Sequence, residues 1–171
     1  KTVMVQQLVG KLLANNVPAK NILFVSIDTP TYTNQALEAF VDLHAQEMGL
    51  TEDDQRYVFF DEIQYLGNWE RHLKVLVDRN PNIRFVASGS AAAALKRASN
   101  ESGAGRFTDF LLPPLTFHEY LSFVDKLHLV KSPDLTRPEQ PKFYTSENIE
   151  GLNVEFCNYI NFGGYPEAVF S

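Results

Sequence analysis

Two acidic residues at the end of an apolar run are the first sign of chemistry. Tyr57-Val58-Phe59-Phe60 leads directly into Asp61-Glu62. A strand that ends in Asp sets a carboxylate at the carboxyl edge of its sheet, where open α/β sheets bind ligands. In nucleotide hydrolases the first acid of such a pair holds Mg²⁺ and the second polarises the attacking water. The competing reading is a strand end capped by a solvated acidic turn. Lys1-Thr2 adds to the first reading, because these are the last two residues of the phosphate-binding pattern G-x-x-x-x-G-K-S/T and an amphipathic helix follows at once. A lysine there reaches the β- and γ-phosphates, and the hydroxyl binds Mg²⁺. The helix N-terminus supplies unpaired N–H donors and a favourable dipole for phosphate.

Two further segments carry polar groups to the same edge. Ile83-Arg84-Phe85-Val86 leads as a third strand into Ala87-Ser88-Gly89-Ser90. Ser88 or Ser90 can hold an attacking water or the γ-phosphate, and Ser90 equally suits the N-cap of the alanine-rich stretch behind it. Arg106 follows Ser102-Gly103-Ala104-Gly105. A glycine-rich segment that delivers an arginine suits a γ-phosphate sensor or an arginine finger. The alternative is a surface arginine paired with Asp109 or Glu101.

The elements that must position these groups follow from periodicity. Val3, Met4, Val5, Leu8, Val9, Leu12 and Leu13 recur at helical spacing over 2–15, and Asn15-Asn16 and Pro18 stop the helix. Ile22 to Asp28 is a near-continuous apolar run, the pattern of a strand buried on both faces. A second helix is predicted over 33–48 and ends at Gly49. The strand at 57–62 is followed by a helix over 67–79 that carries Trp69, which is predicted to face the core or a partner. A third strand is predicted over 83–90 and a short helix over 91–98. Phe110-Leu111-Leu112 is predicted as a short strand. Thr116 with Glu119 forms a capping box for a helix that runs to Leu127. A final helix is predicted over 149–161, ending at Gly163-Gly164. Strands alternating with helices imply a parallel sheet with right-handed crossovers.

Composition narrows the class. The chain has 171 residues, 44% hydrophobic and 21% charged, with 15 basic and 21 acidic side chains and a net charge of −6. This is globular composition, with too many apolar residues for a disordered chain. No stretch approaches the roughly 20 consecutive apolar residues of a membrane span. No basic-then-apolar signal segment opens the chain, so a cytoplasmic location and no membrane partner are expected. The single cysteine, Cys157, excludes an internal disulfide framework, and Cys/His metal spacing is absent. Cys157 is expected to be a partly buried small hydrophobe or an inert thiol. The four histidines share no spacing and are expected on the surface or in packing. The acidic balance argues against whole-surface binding of nucleic acid, and Lys96, Arg97 and Arg106 form at most a small basic cluster.

Together these segments resemble a family. Arg56-Tyr57-Val58-Phe59-Phe60-Asp61-Glu62-Ile63-Gln64-Tyr65-Leu66 with Trp69-Glu70 resembles the "hhhhDEIQ…W" segment of a prokaryotic AAA-type (P-loop) ATPase family whose members usually carry a C-terminal DUF4143 domain. Ala87-Ser88-Gly89-Ser90-Ala91 is similar to its "GSS" segment. Gly103-Ala104-Gly105-Arg106 and Leu112-Pro113-Pro114-Leu115-Thr116-Phe117-His118-Glu119-Tyr120 are similar to its "LAGR…L-x-PLSFxE" segment. Phe162-Gly163-Gly164-Tyr165-Pro166-Glu167 matches its "GGYPE" element. The matches run in one order along nearly the whole chain.

The resemblance implies an α/β fold of the P-loop NTPase type, an additional-strand AAA-type parallel sheet flanked by helices. It implies that the first strand, most of the phosphate loop and most of the C-terminal domain lie outside this chain. Ser102-Gly103-Ala104 replaces the family's usual "SLA", which bears on packing. Residues 1–130 would be the ATPase core, 131–148 a linker or irregular excursion with Pro133, Pro138 and Pro141, and 149–171 the start of a helical C-terminal region. Lys1 would bind phosphate, and Thr2 and Asp61 would hold Mg²⁺. Glu62 would be the catalytic acid, Ser90 or Ser88 the polar sensor, and Arg106 the arginine sensor or finger.

The implied activity is Mg²⁺-dependent ATP hydrolysis coupled to a C-terminal effector domain, and the implied partners are ATP, that domain and further copies of the chain. The alternatives are a nucleotide-responsive switch with little hydrolysis and a nucleic-acid-linked defence or repair ATPase. The absent first strand is central in the additional-strand order, and unpaired buried backbone groups cost about 1–3 kcal/mol each. The chain alone is therefore expected to bind ATP weakly or not at all.

Overall fold

The computed structural model describes residues 1–32, 35–89, 107–108, 110–133 and 143–169. They fall in two compact units, 1–111 and 112–171. Ser90, Arg106 and the helix predicted over 91–98 lie outside the described residues.

The first unit is built on a parallel three-stranded sheet. Its strands are β1 (Ile22–Ser26), β2 (Arg56–Asp61) and β3 (Ile83–Ala87), in the order β1-β2-β3. β2 is central, and Val58, Phe59 and Phe60 are all buried to 1% exposure or less. A strand covered on both faces needs such a run. β1 has one too, Ile22-Leu23-Phe24-Val25, but only Val25 of it is buried and Phe24 is exposed, so the expectation that β1 is covered on both faces does not hold. The register aligns Val25 with Phe60 and Ser26 with Asp61 across one edge of β2, and Phe60 with Ala87 across the other.

Side-chain alternation then assigns the faces. Val25 and Ile27 of the β1 segment, Val58 and Phe60 of β2, and Ile83 of β3 form one core with Leu37 and Val41 of helix α2 (Leu37–Met48) and with Leu73 and Leu76 of helix α3 (Trp69–Arg79). Trp69 packs partly buried against this core, which settles its predicted role as a packing residue. Phe59 and Asp61 belong to the other face, toward helix α1 (Thr2–Ala14), whose Val5 is buried. The alternation of a single strand thus puts Asp61 on the side where α1 begins.

Element ends differ modestly from expectation. α2 begins at Leu37 rather than 33 and closes on Gly49 in the left-handed region at φ 62, a conformation glycine adopts without steric cost. β3 ends at Ala87, although Ser88 extends the pairing: its N–H donates to the Phe60 carbonyl and its carbonyl accepts from Ile63 N–H, both at 2.9 Å. The strand predicted at Phe110-Leu111-Leu112 does not form. These three residues are irregular and exposed, at 95%, 73% and 46%, and among the described residues no strand pairs with them.

The second unit is helical. Helix α4 (Phe117–Phe123) opens on the expected capping box: Thr116 Oγ1 accepts from Glu119 N–H, and Thr116 N–H donates to Glu119 Oε2 at 2.7 Å. Helix α5 (Ile149–Asn158) runs on into a π-helical turn, Tyr159–Gly163. Phe117, Tyr120, Phe156 and Tyr159 form an aromatic cluster with ring centroids 5.2–6.3 Å apart. The backbones of Lys131 and Thr145 pair as an antiparallel bridge, so the ends of the proline-containing excursion are pinned together. Cys157 is exposed. Among the described residues, no helix is long and apolar enough to cross a membrane.

Candidate functional site

The carboxyl edge of the sheet gathers the polar groups. Asp61 is the last residue of β2 and is 1% exposed. A buried carboxylate is costly unless both oxygens find donors. Thr2 Oγ1, in the first turn of α1, donates to Asp61 Oδ2 at 2.6 Å. Ser88 Oγ, just past β3, donates to Asp61 Oδ1. Each oxygen of the carboxylate therefore holds one hydroxyl, from elements far apart in sequence.

Lys1 precedes α1, and its Nζ donates to the Gly89 carbonyl at 2.8 Å. The ammonium lies against the backbone of the segment that follows Ser88. Thus Lys1, Thr2, Asp61 and Ser88 come together at one edge. The first turn of α1 holds no acidic side chain, and no side chain caps its N–H groups. Its unpaired donors and dipole are available to an anion.

Glu62 follows in the left-handed region, at φ 52 and ψ 42. A non-glycine residue there carries strain of order 1–2 kcal/mol. The turn is held because Ile63 is fully buried and its N–H bonds the Ser88 carbonyl. Glu62 is half-buried, and its Oε2 accepts a hydrogen bond from Gln64 Nε2. Sequence reasoning quoted Gln64 only as part of a segment and gave it no role. Its spacing two residues beyond an acid, across a single turn, was the available signal.

Ser88 stands at Asp61, while Ser90 and Arg106 lie outside the described residues. The oxygen donors, one carboxylate and two hydroxyls, suit a hard divalent cation such as Mg²⁺, which keeps several waters and takes only one or two protein carboxylates. Among the described residues, no group of three or more His, Cys, Asp or Glu gathers into a metal cage.

At the opposite end of β2, Arg56 is buried, as is His44 of α2. Burial first, and then the Arg56 charge, push the His44 pKa below its ordinary value of 6.5, against a hydrogen bond to the Lys20 backbone that raises it. On α2, Glu38 Oε2 lies 3.0 Å from Nδ1 of His72 on α3, which ties the two helices together. These two histidines are the packing residues that the sequence allowed for.

A parallel sheet flanked by helices, with a lysine and a hydroxyl at a helix start set against the carboxylate ending the central strand, defines a P-loop NTPase-like domain. The family is specific: residues 1–121 match the family model described as "AAA domain", and the chain belongs to that family. It is similar, at 28% identity over 167 residues, to an uncharacterized protein of Methanocaldococcus jannaschii, covering 98% of this chain and 33% of that protein. It is also 24% identical over 173 residues to an uncharacterized protein of Haemophilus influenzae, covering 100% of this chain and 38% of that protein. The chain thus spans about a third of the length of the curated relatives it matches. No solved structure matches the chain significantly.

Proposed function

We propose that residues 1–130 form the ATP-binding, Mg²⁺-dependent ATP-hydrolysing core of an AAA-type ATPase. Nucleotide state would be coupled to a C-terminal effector region beginning in 149–171, of the DUF4143 kind. The observation that carries this reading is the convergence of the Thr2 hydroxyl on the Asp61 carboxylate, 59 positions away, beside a Lys1 ammonium held at Gly89. Family membership supports nucleotide as the ligand.

In this reading Lys1 leaves the Gly89 carbonyl for the β- and γ-phosphate oxygens, a stronger, charge-assisted partner. The N–H groups of the first turn of α1 bind the same phosphates. Thr2 and Asp61 hold Mg²⁺, which when bound neutralises charge on the triphosphate. Ser88 fixes the Asp61 carboxylate through its second oxygen. Glu62 stands next in the chain and takes a proton from the attacking water. Arg106 delivers positive charge to the γ-phosphate, and Ser90 adds a second polar contact there.

Steady-state phosphate release tests the reading. Glu62→Gln in the full-length protein should keep ATP binding and lose turnover by about 10²-fold or more. Undiminished turnover in that variant would remove Glu62 from its role. Retained binding with negligible release by the unmodified protein would instead favour the nucleotide-responsive switch.

A further inference from the structure

Gln64 belongs to the same short run as the acidic pair, yet the chemistry above gives it no part. Between Glu62 and Gln64 the backbone forms a tight turn, Ile63–Tyr65. That turn is anchored from two sides. The Ile63 side chain is fully buried in the core under α2 and α3, and its N–H is held by the Ser88 carbonyl at 2.9 Å. The turn closes on itself through Tyr65 N–H to the Glu62 carbonyl at 3.2 Å and Leu66 N–H to the Ile63 carbonyl at 3.0 Å. The two side chains therefore leave a fixed backbone, and Gln64 Nε2 donates to Glu62 Oε2.

We infer that Gln64 is a positioning residue for the Glu62 carboxylate. Its amide occupies Oε2 and leaves Oε1 as the oxygen that accepts a proton from water. A glutamate side chain free to sample its rotamers loses entropy when it is fixed. A partner already in place spends that entropy before the reaction begins, and orientation of this kind is a large part of catalytic rate. An amide suits the task because it is a neutral donor. It orients the carboxylate without placing a formal charge beside it, as lysine or arginine would. This inference rests on Glu62 being the base of the proposed hydrolysis.

The test uses the full-length protein and four forms: unmodified, Gln64→Met, Glu62→Gln, and the double variant. Methionine keeps the length of the side chain and removes the donor. The expected result is a fall in kcat of about tenfold for Gln64→Met, with KM for ATP within about twofold of the unmodified value. In the Glu62→Gln background the same change should cost nothing further, because the residue acts through Glu62. If Gln64→Met melts at a lower temperature, Gln64→Asn, whose amide stops one methylene short, repeats the comparison. Unchanged or increased kcat in a folded Gln64 variant overturns the inference, as does a loss that adds to that of Glu62→Gln. Full turnover by Glu62→Gln alone overturns the reading beneath it instead.

Discussion

The Thr2 hydroxyl lies 2.6 Å from one oxygen of the Asp61 carboxylate, and this bond joins the first turn of α1 to the last residue of the central strand. The carboxylate is buried, so the hydroxyl satisfies an acceptor that water does not reach. The same pair that would hold Mg²⁺ thereby also holds the edge of the sheet together.

Thr2→Val keeps the shape of the side chain and removes the donor. The loss of one hydrogen bond to a buried carboxylate should cost about 1–3 kcal/mol. Urea denaturation should show a lower midpoint with an unchanged slope. An unaltered midpoint would mean that Asp61 draws nothing from Thr2.

His44 gives the fold a pH dependence with a definite sign. Its folded pKa lies below 6.5 because of burial and then the Arg56 charge. Between that depressed value and 6.5 the unfolded chain binds more protons, so stability rises with pH. The His44 contribution is complete above about pH 6.5 and is lost as pH falls toward the folded pKa. Denaturation midpoints measured at about pH 7.5 and about pH 5.5 should differ more for the unmodified protein than for His44→Gln. Equal differences would contradict this origin.

In the second unit, Gly163 is buried, and a Cβ there would stand 2.5 Å from Tyr159 Cδ2 and 2.8 Å from Tyr120 Cδ2. Both rings are tied down: Tyr159 OH donates to the Leu115 carbonyl at 2.7 Å and Tyr120 OH to Glu155 Oε2 at 3.1 Å. Gly163→Ala should therefore destabilise this unit by about 1–3 kcal/mol through overpacking. Thermal melting followed through the aromatic signal checks it, and an unshifted transition would contradict it.

Much of this arrangement was legible in the order of residue types. The run at Val58-Phe59-Phe60 belongs to the buried middle strand, and the acids behind it mark the ligand edge, whereas the equally apolar Ile22-Leu23-Phe24-Val25 belongs to a strand that is only partly buried. The capping box at Thr116 and Glu119 was legible for an equally local reason, since its groups sit within one turn. Tertiary proximity was harder to see. That Ser88 reaches Asp61 depends on the register of β3 against β2, which spacing alone does not fix. The crowding at Gly163 comes from the rings of Tyr120 and Tyr159, which lie far apart in the chain, and the sequence shows only a glycine pair after a helix. Phe110-Leu111-Leu112 misled because apolar character alone does not make a strand, and no strand among the described residues pairs with it.

In the proposed function Lys1, Thr2 and Asp61 surround a triphosphate. Calorimetric titration of the full-length protein with ATP, with and without Mg²⁺, measures it directly. Binding should be saturable, tighten with Mg²⁺ and weaken about 10- to 100-fold in Lys1→Ala, the range set by one charge-assisted contact to phosphate. Equal affinity in Lys1→Ala and the unmodified protein, or no saturable binding by the unmodified protein, would contradict it.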